Sequence, residues 1–263
     1  MSRTPVILTA FGTRNKTKET TDFIENYFRK TFPSCEFHWA FSARSVQKNR
    51  HQGTPPPPEK VLQELADQGH SGAVIQSLHV VCAAEFHKLI PLCRNAPLAT
   101  QLSLPLLASV EDCRAAACAL KPAVESLASD TAAVLALHGS SHPGGTLFHL
   151  MGRIFMETCG DRAFFGMIEG EPGKEAIARR IGKAGFTKAH IFPFTLITGI
   201  HVEKDLAGPE DSWKTAFLAA GITPAIDCRS LGRHPAILDI FGSHLRKTLD
   251  ATMGTGPTPQ EFP

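Results

Sequence analysis

Residues 182–201 read GKAGFTKAHIFPFTLITGIH: a glycine turn, an apolar run from His190 to Ile197, a second glycine and then a histidine. A short apolar run bounded by glycines suits a strand buried on both faces, as in a parallel sheet covered by helices. Residues 66–85, ADQGHSGAVIQSLHVVCAAE, can be laid on this stretch without a gap. Gly69 then falls on Gly185, Ile75 on Ile191 and Glu85 on His201. A second pair matches in the same order. AFGT falls on LHGS, which sets Phe11 on His138 and Gly12 on Gly139. The identities are few and chance can produce them, but shared order and shared expected structure point to a duplicated unit.

Working outward, strand-like and helix-like segments alternate. Strands are expected at residues 5–10, 36–41 and 73–81, with helices at 17–30 and from Glu59 onward, after the stiff PPPP run at residues 55–58. The second half repeats the pattern. Strands are expected at residues 132–137, 163–168 and 190–197, and helices from about Thr146 and at 174–184, 211–220 and 236–249. The expected fold is therefore α/β: two similar lobes, each a parallel sheet flanked by helices, with a central cleft at the C-terminal ends of the strands. The N-terminal lobe is placed at residues 1–128. The C-terminal lobe is placed at 129–263, with its last helix packing back toward the first lobe.

Composition narrows the class. At 263 residues, 43% hydrophobic and 20% charged, the chain can bury a substantial core. A formal charge of +2 gives no global field that would recruit nucleic acid. No apolar run approaches the roughly 20 residues that span a bilayer, and the apolar start is too short for a signal segment, so a cytoplasmic protein is expected. The seven cysteines contain no C-x-x-C pair, which fits reduced thiols better than a disulfide framework or a structural zinc site.

Three residues carry a candidate chemistry in the second half. His138 follows a strand inside the turn LHGSSH, Glu169 ends the strand AFFGMIEG, and His201 follows HIFPFTLITG. Each has a plain structural reading: a helix-capping histidine, a solvated turn carboxylate, a histidine packed against apolar neighbours. Together they occupy strand ends of one lobe, where neighbouring strands are about 5 Å apart and three side chains can converge. Imidazole and carboxylate suit divalent iron, cobalt, nickel and zinc without selecting among them.

Other segments are expected to hold a ligand. FGTRNKT offers Thr13 and Arg14, and FSARSVQKNR offers Ser42, Arg44, Lys48 and Arg50, a set of hydroxyls and cations suited to carboxylates or phosphates. Either loop can equally be a solvated basic turn. His79 and His87, with Glu85 between them, could extend the site or hold a second metal. No nucleotide-binding glycine loop or serine-hydrolase elbow occurs.

With these segments in view, the chain resembles the anaerobic sirohydrochlorin cobalt chelatases of the CbiK class. The resemblance rests on TAFGT, WAFSAR, GAVIQSLHVV with Glu85 and Phe86, LHGSSH, GMIEGEP, PFTLITGIH and EDSWKTAFLAAGI, and covers nearly the whole chain. It implies the bilobal chelatase fold and a lyase that inserts Co²⁺ into sirohydrochlorin on the route to cobalamin. His138, Glu169 and His201 would be the metal-handling and catalytic residues. Thr13, Arg14, Ser42, Arg44, Leu78, Glu85 and Leu196 would face the tetrapyrrole. It implies no required cofactor, a possible homo-oligomer and, in some exported relatives, a bound haem, for which His79 is the candidate residue here. Ile200 stands before His201 where an acidic residue occurs in relatives, and Arg14 follows the FGT turn; both bear on metal preference and substrate grip. The rival readings are iron or nickel insertion into a related ring, a tetrapyrrole or metal carrier without catalysis, and a two-lobed substrate-binding module.

Overall fold

The structure is a computed structural model and describes residues 3–12, 18–48, 53–197, 199–227 and 229–254. In chain order the elements are β1 (Thr4–Ala10), α1 (Lys18–Thr31), β2 (Cys35–Phe41), α2 (Arg44–Lys48), α3 (Pro58–Asp67), β3 (Gly72–Ser77), α4 (Ala84–His87), α5 (Leu89–Arg94) and β4 (Ala99–Ser103). There follow α6 (Val110–Glu125), β5 (Thr131–Leu137), α7 (Thr146–Cys159), β6 (Ala163–Met167), α8 (Lys174–Lys183) and β7 (Lys188–Phe194). The chain continues through α9 (Ile200–Ala207), α10 (Trp213–Ala219), β8 (Thr223–Ile226) and α11 (Pro235–Gly254). Two compact units result: Met1–Ala108 with Leu238–Pro263, and Ser109–Ile237.

Each unit is built on one four-stranded sheet, ordered β2-β1-β3-β4 in the first and β6-β5-β7-β8 in the second, and every pairing is parallel. The central strands β1 (TPVILTA) and β5 (TAAVLAL) are buried at all but their first residue, which is why both read as unbroken apolar runs. In the first unit Ile7, Ile75, Val61, Leu62, Leu65 and Phe86 pack as one cluster. In the second, Val134, Ile177, Ile181, Ile191, Trp213 and Phe217 do the same.

The duplication holds at the level of hydrogen bonds. Ser42 and Ala43 donate their backbone N–H groups to the carbonyls of Ala10 and Phe11; Ile168 and Glu169 donate theirs to Leu137 and His138. Leu106 and Leu107 donate to His79 and Val80; Leu231 and Gly232 donate to Thr195 and Leu196. Gly12 and Gly139, matched in sequence, have φ of 90° and 87°.

The boundary between units differs from the expected one at 128/129. Helix α6 groups with the second unit, where it packs on α7 and Arg162 donates to the carbonyls of Val124, Leu127 and Ala128 at its C-terminal end. From Leu238 onward α11 groups with the first unit. There Tyr27 donates to Asp239, Arg246 lies 4.9 Å from the Phe32 ring centroid, and Thr252 donates to Gln101 at 3.0 Å.

Strands β4 (ATQLS) and β8 (TPAI) and helix α6 were not anticipated. Both strands are short edge strands, too polar or too proline-bearing to show a strand pattern. Helix α6 is rich in alanine and contains Pro122, which blurs its apolar stripe. Strands β3 and β7 stop at Ser77 and Phe194, short of the apolar runs that contain them. Among the described residues no helix is long and apolar enough to cross a membrane.

Candidate functional site

In both sheets the first strand is flanked by the second on one side and the third on the other. The chain thus reverses its winding between β1 and β3 and between β5 and β7. Open parallel sheets bind ligands outside the strand C-termini at such a switch point. The second unit places its candidate residues there. His138 follows β5 directly, and Glu169 lies two residues beyond β6, its N–H donating to the His138 carbonyl at 2.8 Å. His201 is the second residue of α9, the element that follows β7. Its side chain lies outside the described structure.

His138 is exposed, and its Nδ1 is 3.1 Å from the Gly139 carbonyl oxygen. A carbonyl only accepts, so this contact requires the proton on Nδ1 and leaves the lone pair of Nε2 directed elsewhere. That is the tautomer a metal-binding or proton-accepting imidazole needs. Glu169 is exposed as well. Behind the two residues the turn is rigid. Gly139 leaves no room for a side chain, since a Cβ there would lie 1.8 Å from the Glu169 carbonyl oxygen. His142 accepts the Gly144 N–H at 3.0 Å through Nδ1, so it caps the short turn Pro143–Gly145. Glu171 accepts the Gly173 N–H at 3.1 Å. A concavity of about 440 Å³ opens beside Glu169, lined also by Ser140, Ser141, His149 and Glu171. Among the described residues no three His, Cys, Asp or Glu side chains stand close enough to enclose a metal ion. The edge is open, unlike a structural metal site with its closed ligand set.

The first unit builds the same edge from different residues. Phe11, at the position of His138, leaves half its surface exposed (51%). Ser42, half-buried, donates to a Glu85 carboxylate oxygen at 3.3 Å, and Lys88 pairs with the other oxygen. His79 is buried, with Nε2 at 3.1 Å from Ser42 Oγ and Nδ1 at 2.9 Å from Ser77 Oγ. Burial, only partly opposed by Glu85, pushes its pKa down to about 4, so the ring is neutral near pH 7. Arg44 is exposed at the start of α2. Thr13, Arg14 and Arg50 lie outside the described residues.

Leu78 and Leu196 are 2% and 6% exposed, so each offers a ligand little surface. Directly after the central strand of the first unit the exposed apolar side chain is Phe11, which the reading of single segments missed. Its signal was present in the internal match that set it on His138. Haem does not fit His79: an axial ligand needs a free ring nitrogen, and both are engaged by serine hydroxyls.

Known proteins agree with this architecture. A SirB structure from Bacillus subtilis with Fe³⁺ matches with a TM-score of 0.67 at 16% identity, covering 96% of this chain and 98% of that one. A second, the sirohydrochlorin chelatase SirB from Bacillus subtilis subspecies spizizenii in complex with cobalt, gives a TM-score of 0.66 at 14% identity over 96% and 98% of the chains. At these identities the likeness establishes the fold. In sequence, the chain is 34% identical to a sirohydrochlorin cobaltochelatase of Salmonella typhimurium over 73% of this chain and 74% of the relative. It is 24% identical to the sirohydrochlorin cobaltochelatase CbiKC of Nitratidesulfovibrio vulgaris over 95% and 92%. The family model described as cobalt chelatase (CbiK) matches residues 4–250, and the chain belongs to that family.

Proposed function

We propose that this chain is a sirohydrochlorin cobaltochelatase, a lyase that inserts Co²⁺ into sirohydrochlorin on the route to cobalamin. Membership of the cobalt chelatase family supports the reaction class. The observation that carries the chemistry is the open Nε2 of His138, set by the Nδ1–H bond to Gly139 beside the Glu169 carboxylate.

The reaction exchanges two inner pyrrole protons for one divalent ion, so the ring dianion and the metal must meet while both are partly stripped of water. His138 Nε2 donates its lone pair to the incoming ion and accepts a pyrrole proton once the ion has moved on. Glu169 offsets the ion's charge. His201, the second residue of α9, is the candidate for a second imidazole. Few ligands are an advantage: a site enclosing the ion would not release it to four ring nitrogens. On the first unit, Phe11 offers an aromatic face to the flat ring. Ser42 and Arg44, with Thr13 and Arg14, offer donors and cations to its peripheral carboxylates. Glu85 is suited to the inner N–H groups, because a carboxylate repels the ring's carboxylates and accepts from its N–H. Metal insertion is neither redox nor group transfer, so this reading calls for no resident cofactor. The free thiols of the described cysteines support a reducing cytoplasm.

The test is anaerobic absorbance spectroscopy of sirohydrochlorin with Co²⁺, Fe²⁺ or Ni²⁺, with and without the protein. Accelerated insertion, fastest with Co²⁺, is expected. His138→Ala is expected to slow it by about 100-fold or more, with ring affinity within about twofold of wild type. Ring binding without accelerated insertion of any of the three ions would make the protein a carrier.

A further inference from the structure

Hydrogen-bond direction in the Ser77–His79–Ser42–Glu85 cluster is settled by its last member. A carboxylate accepts only, so Ser42 gives its hydroxyl proton to Glu85 at 3.3 Å. Toward His79 the Ser42 oxygen must then accept, at 3.1 Å, which puts the imidazole proton on Nε2. In a neutral ring Nδ1 is then the acceptor, and Ser77 donates to it at 2.9 Å. The Ser77 oxygen takes the His79 backbone N–H in return, at 3.4 Å. Every donor finds an acceptor, and the chain runs from the fully buried Ser77 to a carboxylate 26% exposed. It joins the end of β2 to a segment distant in sequence that runs from the end of β3 to the start of α4. Among the described residues nothing like it occurs in the second unit, where Ile168, Pro193 and Thr195 stand at the positions of Ser42, Ser77 and His79.

We infer that His79 is a positioning residue: through Ser42 it fixes the Glu85 carboxylate in the orientation that meets the substrate's inner N–H groups. This rests on the functional reading above, since Glu85 needs a substrate to meet. A merely structural histidine would be replaceable by any side chain that fills its volume. A relay instead requires an N–H at the Nε2 position. Gln places its amide nitrogen there, whereas the shorter Asn reaches only the Nδ1 position.

Three measurements test the inference. Nitrogen NMR of histidine-labelled protein at pH 7 is expected to show His79 neutral and protonated on Nε2. A ring protonated on Nδ1, or an imidazolium, would overturn the relay whatever the protein's activity. Titration of sirohydrochlorin by absorbance, with initial rates, is expected to show Ser42→Ala and His79→Asn each raising Kd and KM about tenfold. His79→Gln should stay within about threefold of wild type, and thermal melting separates any folding defect. The third measurement is a cycle with Glu85→Gln. Ser42→Ala is expected to lose most of its effect in that background, because both act through one carboxylate. Full additivity, or His79→Gln as impaired as His79→Asn, would overturn the positioning role while leaving the chelatase reading intact. A wild type that neither binds nor metallates sirohydrochlorin would sink both, and the NMR result would then report on the relay alone.

Discussion

The two units use one scaffold to make two kinds of edge. Strand order, parallel register and the backbone bonds just beyond the strands coincide, down to glycines with φ of 90° and 87°. Yet the side chains that follow share almost nothing: Phe11 against His138, Ala43 against Glu169, His79 against Thr195, Glu85 against His201. The first edge is aromatic and basic, with a tied-down carboxylate; the second presents an unencumbered imidazole and carboxylate. Buried strands leave no freedom to diverge, because each central strand is packed on both faces. One or two residues past the strand end, the side chain faces out of the sheet and chemistry can change at little cost to the fold. Within this framework the difference between units should be found in the loops, and the strands should tolerate change equally badly.

The largest expected effect probes the shared backbone. Alanine at Gly139 would be strained by its φ of 87° and would set a Cβ 1.8 Å from a backbone oxygen. Alanine at Gly12, at almost the same φ, would meet the Phe41 ring at 2.5 Å and the Phe41 Cβ at 2.8 Å, a buried side chain rather than backbone. Gly139→Ala should cost about 4 kcal/mol or more and Gly12→Ala about 2–4 kcal/mol. Gly185→Ala, with nothing within 4 Å of its Cβ, should cost about 1–2 kcal/mol from its φ alone. Denaturant unfolding that returns one value for all three would show that the close approach of the Glu169 carbonyl does not constrain the turn.

Much of this was readable from the chain. His138 and Glu169 stand out because a polar, chemically capable residue follows an apolar run, and the fold turns that adjacency into a sheet edge. The gapless match of residues 66–85 with 182–201 foreshadowed β3 and β7, because a duplicated buried strand keeps its apolar spacing. The relay at His79 was not readable. It depends on β1 lying between β2 and β3, so that Ser42 and His79 meet, and no local pattern encodes that. Strands β4 and β8 were hidden by edge positions that place few demands on side chains. Nor could Leu78 and Leu196 be sorted from Phe11: all three are apolar residues near strand ends, and only packing decides which face outward.

Acid should act on the units through their buried histidines, and most strongly through His79. Its pKa is depressed from 6.5 to about 4, with desolvation the largest cause, Glu85 opposing and Lys88 reinforcing. A depressed histidine binds more protons unfolded than folded. Its contribution is therefore complete above about pH 6.5 and is lost as the pH falls from there toward 4. The full span corresponds to about 3 kcal/mol at most. His38 in the first unit and His190 and His234 in the second are also depressed by burial and slope the same way. Stability measured from pH 7 to 4.5 should fall less steeply for His79→Gln than for wild type, with a remainder from the other three. An unchanged slope would mean that His79 is solvated in the folded protein.

The smallest expected effect concerns Thr195, which stands where the first unit has His79. Among the described residues its buried hydroxyl has no hydrogen-bond partner, whereas every polar atom of the His79 ring is engaged. A buried unpaired hydroxyl carries its desolvation cost uncompensated, so a methyl of the same shape should be tolerated or preferred. Thr195→Val should raise stability by about 1 kcal/mol, read as a higher melting temperature at pH 7. In the first unit, deleting the hydroxyl that bonds His79, by Ser77→Ala, removes a donor from a satisfied chain and should instead lower stability by about 1 kcal/mol. Opposite signs at two places on one scaffold would show that the first edge spends its polar groups on a closed network and the second leaves one open. If Thr195→Val destabilises, the hydroxyl has a partner in solution, and that edge is more closely satisfied than its geometry indicates.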